Sequence, residues 1–191
     1  MTLMRNFLRV LLIGLITTTA SQSLASDVWR HGEFRGTVVL TVTENVGLPT
    51  RGGSSEDVDK FFVFNDIAFD KAAQFDAAAL QALPQVMVNA DFPKGGKVYQ
   101  FEGPLLKDVL ESVRATGETV TIRALDGYAV EIPLADAYAA GAIVALKREG
   151  IPFAIGDFGP THVVFPRADR ADLADMPDDW WVWSIYHIHV E

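Results

Sequence analysis

His187 and His189 stand two residues apart in a β-rich C-terminal segment. Alternate residues of a strand share a face, so the two imidazoles point the same way. Such a pair could hold zinc or copper if a third ligand approached, and His162 and Glu191 are the candidate thirds. Two ligands do not define a site, so the pair by itself reads as solvated or hydrogen-bonded histidines near a sheet edge. The chain has no cysteine. That absence removes thiolate nucleophiles, thiolate metal sites and cysteine-held cofactors, and it leaves no disulfide to staple the fold.

Other polar groups have plainer readings beside the chemical ones. Asp169, Asp172 and Asp175 recur every three residues, with Asp178 and Asp179 behind them. A calcium loop needs denser oxygen ligands and a glycine turn, so this run reads as a solvated acidic loop. Asp126 could serve as a general base, but Asp126-Gly127 is what a tight hairpin turn asks for. Arg167 and Arg170 could meet an anionic ligand, or simply be solvated or paired at the surface. Trp180, Trp181 and Trp183 could wall a ligand site. Their area suits core packing better, with Trp181, Trp183, Ile185 and His187 on one strand face. No Ser-His-Asp signature, phosphate-binding glycine loop or paired-carboxylate motif is present.

The elements that must position these groups follow from pattern. Residues 34–43 are β-branched and apolar and predict an entry strand. Residues 44–59 are rich in Gly, Pro and Ser and predict an exposed loop. Lys60–Phe64 predicts a short strand. Asp76 is placed to cap a helix that Pro84 ends, with Phe75 and Leu80 as a hydrophobic staple. Gln85–Asn89 predicts a strand. Gly103-Pro104 is expected to open a helix with Leu105, Leu106, Val109, Leu110 and Val113 on one face and Gly117 as its stop. Thr119–Leu125 and Tyr128–Ile132 flank the Asp-Gly turn. Pro133 starts a short helix, Ala142–Leu146 and His162–Phe165 predict strands, and Trp181–Val190 predicts the last one.

The N-terminus carries an address. Arg5 and Arg9 precede the apolar run Val10–Ile16, and Ser23-Leu24-Ala25 offers small residues at cleavage spacing. Residues 1–25 therefore read as a secretory signal peptide, too short for a stable membrane span, with a mature chain starting at Ser26. A periplasmic location is expected. The formal charge of -9 becomes more negative still without the two arginines of that segment. Such acidity disfavours nucleic acid and anionic membranes as partners. Residues 26–191 suit a single domain, and the apolar share of 49% is enough for its core.

The order of motifs resembles a known family. The segment Phe101-Glu102-Gly103-Pro104-Leu105-Leu106-Lys107-Asp108-Val109-Leu110 is similar to the W-x-G-V-P-L-x-D-L-L segment of sulfite-oxidase-type molybdopterin-binding domains. Asp126-Gly127-Tyr128 with Ile132-Pro133 resembles that family's D-G-Y hairpin. Gly150-Ile151-Pro152-Phe153 and Gly159-Pro160-Thr161-His162-Val163-Val164-Phe165-Pro166 resemble its N-G-x-P-L turn and G-x-P-x-R-L-V-x-P strand. The Phe75–Pro84 helix resembles its entry helix, so the likeness covers about residues 70–190.

The resemblance implies an α+β fold, with a mixed, twisted or barrel-like β core and short helices. It also implies a molybdenum–pterin cofactor held partly by one cysteine. Here Asn89 or Ala90 stands nearest that position, and His162 stands where the family has arginine. The expectation is a small exported branch that keeps the scaffold and binds no molybdenum. Its vacated cofactor cleft would be lined by Asn89, Tyr128 and His162, and it would serve as a binding or sensory module for a small ligand or for a periplasmic or membrane sensor protein. Molybdopterin remains possible by resemblance. The alternatives are a periplasmic molybdopterin-dependent oxidoreductase and a small metal-binding protein using His187 and His189.

Overall fold

Strand β1 (Val38–Glu44) is the axis of the largest sheet, and the β-branched entry segment forms it as expected. These and the elements below come from a computed structural model that describes residues 34–191. The expected export segment 1–25 and its junction at Ser26 lie outside the described residues. β1 runs parallel to the last strand, β12 (Ile185–Val190), which sets Thr41 beside His187 and Thr43 beside His189. Its other edge pairs antiparallel with β3 (Lys71–Asp76), which pairs in turn with the short β2 (Arg51–Gly52). Beyond β12 lie β6 (Thr119–Ala124) and β7 (Ala129–Pro133), both antiparallel.

A four-stranded sheet joins β10 (Ile151–Pro152), β9 (Lys147–Arg148), β5 (Tyr99–Pro104) and β4 (Gln85–Ala90) in that order. A third sheet pairs β11 (His162–Val164) with β8 (Ile143–Ala145). Few and short helices fill the gaps, so the architecture is mixed α+β. One face of the large sheet, with Leu40, Val42, Phe75, Ile122 and Ile188, packs with Phe101, Leu106, Leu110, Val144 and Phe165 in one core. The opposite face carries a smaller cluster of Ile67, Phe69, Ala72 and Tyr186.

Several local expectations hold for the stated reasons. Asp76 caps α2 (Ala77–Ala82) by accepting the Ala79 N–H at 2.7 Å, with Phe75 and Leu80 fully buried. The same carboxylate accepts the Arg35 and Gly36 N–H groups at 2.7 and 2.9 Å. α4 (Leu134–Ala139) follows Pro133.

Other elements differ. Lys60–Phe64 is a helix, α1, and not a strand. Neighbouring Phe61 and Phe62 both reach the Tyr186 ring, at 4.7 and 5.7 Å, which strand alternation would forbid. Asp59 just before it is gripped by Arg51 at 2.6 and 2.8 Å. That pair and β2 pin the segment expected to be a plain exposed loop. Pro104 ends β5 and does not open the next helix, because α3 spans Leu106–Ser112. Gly103 explains this: a Cβ there would overlap the Val144 carbonyl, so β5 runs in close contact with β8 up to that point. The helix ends through Arg114 at φ 50°, not at Gly117.

The last strand begins at Ile185, not at Trp181. Trp180 belongs to a 3-10 turn, Asp178–Trp180, and Ser184 takes φ 52°. The β12–β6 register then shifts between Ile185 and His187. This bulge sets Ile185 in the main core and Tyr186 in the second cluster, so Ile185 and His187 do not share a face.

Candidate functional site

The site is built where the β6–β7 hairpin meets the loop before β12. Gly127 takes φ 90°, and the Asp126 carboxylate accepts the Tyr128 N–H at 2.9 Å. This turn lifts Tyr128 out of the sheet, and its hydroxyl donates to the Asp179 carbonyl at 2.9 Å. Between the hairpin and the 3-10 turn lies a cleft of about 300 Å³. Its aromatic lining is Phe92, Tyr128, Trp181 and Trp183, and its polar lining is Asp126, Asp178 and Asp179. Among the described residues none that lines it is basic. Tyr128 and Trp183 are 45% and 38% exposed, which leaves ring surface open to a ligand.

The back wall is rigid. Trp181 is buried, with Phe92 stacked on it at 5.6 Å and the Arg167 guanidinium 4.4 Å from its ring centre. Arg167 is itself buried. It donates to the Asp91 carboxylate at 2.6 Å, the Asp91 carbonyl at 2.6 Å, the Met176 carbonyl at 2.8 Å and the Asp178 carboxylate at 2.8 Å. Burial works to raise the Asp91 carboxyl, but Arg167 and the Gly95 N–H outweigh it and hold the group below the usual range. The acidic run is therefore structured. Asp169 accepts from the Asn89 backbone and side chain at 2.6 and 2.9 Å, Asp178 from the Lys94 N–H at 2.8 Å, and Asp175 pairs with Lys94 at 3.4 Å.

His162 lies behind the Phe92 wall with no exposure. Phe158 stacks on it at 5.3 Å, and Phe92, Phe101 and Phe153 surround it at 5.1, 5.9 and 6.2 Å. Neither ring nitrogen has a hydrogen-bond partner among the described residues. The Trp181 backbone lies close enough to favour the protonated ring. Burial lowers the His162 pKa to about 3, opposed in part by that backbone.

His187 and His189 share the outer face of the large sheet, their rings 6.3 Å apart. Both meet the buried Thr43 hydroxyl, from His187 Nε2 at 2.9 Å and His189 Nδ1 at 3.3 Å. His189 Nε2 pairs with Glu191 at 2.8 Å, and the ring of Phe62 lies 5.6 Å from that of His187. Burial first, then His189 and Arg123, lowers the His187 pKa to about 3. Among the described residues no group of three or more His, Cys, Asp or Glu side chains is arranged to hold a metal ion. His162, a candidate third ligand, sits instead among Phe92 and Phe158.

Of the three residues expected at one cleft, Tyr128 lines it, His162 is sealed behind its wall, and Asn89 turns to Asp169. Phe92 and Asp178 were not anticipated there. Phe92 precedes a proline in a polar stretch and gives no periodic signal, and Asp178 looked like one more solvated acid. The tryptophan segment divides the two roles weighed for it: Trp181 is core, and Trp183 is an exposed part of the cleft.

No family model and no curated protein sequence matches the chain. Among solved structures it is similar to the sulfane dehydrogenase SoxCD from Paracoccus pantotrophus, with 11% identity and a TM-score of 0.53. The match covers 79% of this chain and 37% of that one. This chain thus spans little more than a third of that structure's length, and the likeness is one of fold alone.

Proposed function

We propose that this chain is an exported, non-catalytic binding module on a sulfite-oxidase-type molybdopterin-domain scaffold. It acts in the periplasm, either on a small ligand or through a periplasmic or membrane sensor protein. Two lines support the scaffold: the ordered motifs from Phe75 to Pro166, and the fold likeness to a sulfane dehydrogenase. The observation that carries the loss of metal chemistry is at the end of β4. Where the resemblance expects a thiolate, Ala90 is fully buried in the core and Asn89 is bound by the Asp169 carboxylate. The next residue, Asp91, is locked to Arg167.

The residues present do not fit a molybdenum–pterin group. The soft anionic ligand is missing, and an amide or a methyl cannot replace it. Among the described residues the neighbouring cleft offers three carboxylates and no basic side chain to an anionic pterin phosphate. The cleft itself has the size and aromatic lining of a small-ligand site.

The test is elemental and pterin analysis of protein recovered from the periplasm of a host competent for molybdenum-cofactor synthesis. The expected product begins at Ser26 and carries no stoichiometric molybdenum. A stoichiometric molybdenum content would promote the oxidoreductase reading, and a chain that stays in the cytoplasm would remove the export.

A further inference from the structure

We propose that the cleft between the β6–β7 hairpin and the Asp178–Trp180 turn binds a small organic ammonium ion that also carries a hydroxyl or carbonyl group. This rests on the reading of the cleft as a ligand site and adds the ligand's chemical class. The argument begins with the free ring surface. Trp181 has Phe92 on its ring at 5.6 Å and Arg167 at 4.4 Å, so it supplies a fixed wall and little open face. Tyr128 and Trp183 are the partly exposed rings. An aromatic face attracts a cation through the ring quadrupole, most strongly where water is partly excluded.

Charge selects the same occupant. Asp126, Asp178 and Asp179 line the cleft without a basic residue, in a chain of net charge -9. Asp178 is already engaged by Arg167 and Lys94. Asp126 holds its own turn through one oxygen. Asp179 gives its backbone carbonyl to Tyr128, while its carboxylate enters no hydrogen bond or ion pair among the described residues. It is the natural counter-ion for an incoming cation. An anion here would meet the Asp126 and Asp179 carboxylates, while the Arg167 charge behind the wall is already taken up by Asp91 and Asp178.

A second feature is independent of the acids. Trp181 is 2% exposed and lines the cleft, yet its buried indole N–H has no hydrogen-bond partner among the described residues. Buried donors are nearly always satisfied, and an unpaired one on a ring that lines a cavity suits a ligand acceptor that seats against that ring. A hydroxyl or carbonyl on the ammonium compound would supply it. A volume of about 300 Å³ admits a molecule of choline size and not a polymer.

Calorimetry and tryptophan fluorescence on the purified protein test this with choline as the probe, tetramethylammonium as a cation without an acceptor, and inorganic phosphate as an anion. Choline is expected to bind saturably, about ten-fold more tightly than tetramethylammonium, with no binding of phosphate. Asp179→Asn and Trp183→Leu should each weaken choline by about ten-fold, with unchanged melting because both side chains are at the surface. No saturable choline signal, or equal affinity in wild type and both variants, would overturn the proposal. Equal affinity for choline and tetramethylammonium would overturn its acceptor half. These outcomes are separate from the fate of the non-catalytic reading, which the molybdenum content decides.

Discussion

His162 and His187 are imidazoles that the fold keeps uncharged. Each has a pKa lowered to about 3 from 6.5, in both cases first by burial. Between those values the unfolded chain binds protons that the folded chain refuses. Stability is therefore fully present above about pH 6.5 and falls as the pH drops, by about 1.4 kcal/mol per pH unit for each histidine. Asp59 and Asp91, held below 3.8, add their own loss only at lower pH. Urea melts between pH 7.5 and 4.5 should show a midpoint that declines below pH 6.5. The decline should be about half as steep in His162→Phe, whose ring suits the same phenylalanine cage. An identical slope in the variant would mean that His162 titrates normally.

At the scale of elements, the β6–β7 hairpin is the one on which the cleft depends. Gly127 sits at φ 90° with nothing within 4 Å of a Cβ built there. A substitution would thus meet backbone strain without any clash. Gly127→Val is expected to cost about 1–3 kcal/mol, read as a lower urea midpoint at pH 7. An unchanged midpoint would show that the turn relaxes freely. The other elements obey the same logic of local preference against packing. Asp76 succeeds as a cap because its carboxylate also gathers the Arg35 and Gly36 N–H groups, tying α2 to the start of the described chain. Lys60–Phe64 departs from its strand-like composition because a helix brings Phe61 and Phe62 onto Tyr186 together.

For the molecule as a whole, Arg167 is the junction. Its guanidinium joins β4's exit at Asp91, the acidic loop at Met176 and Asp178, and the Trp181 wall. Removing one partner of a buried ion pair leaves the others uncompensated, so Arg167→Leu should destabilise the fold by about 3 kcal/mol. Arg167→Lys should recover only part of this, since one ammonium cannot reach acceptors set for a planar fork. Chemical denaturation of both variants at pH 7 checks the order. Equal stability of Lys and Leu variants would show that charge contributes nothing beyond packing.

Sequence alone determined what depends on near neighbours. The Asp76–Ala79 cap, the Asp126-Gly127 turn and the short helix after Pro133 were legible, because each rests on a bond or dihedral within a few residues. The strands at Ile143 and His162 were legible from β-branched composition, although they pair with each other. The absence of cysteine by itself excluded thiolate chemistry. Tertiary structure decided the rest. It paired β1 parallel to β12 across the length of the chain, bringing His187 and His189 to the hydroxyl of Thr43. It turned an apparently solvated acidic run into the clamp on Asn89, Lys94 and Arg167. It separated Asn89 from Tyr128, and it made a cleft from Phe92, Tyr128 and Trp183, which lie on three distant segments. Such neighbours leave no periodic mark in the chain, since their contact is set by how sheets and loops pack and not by local backbone preference.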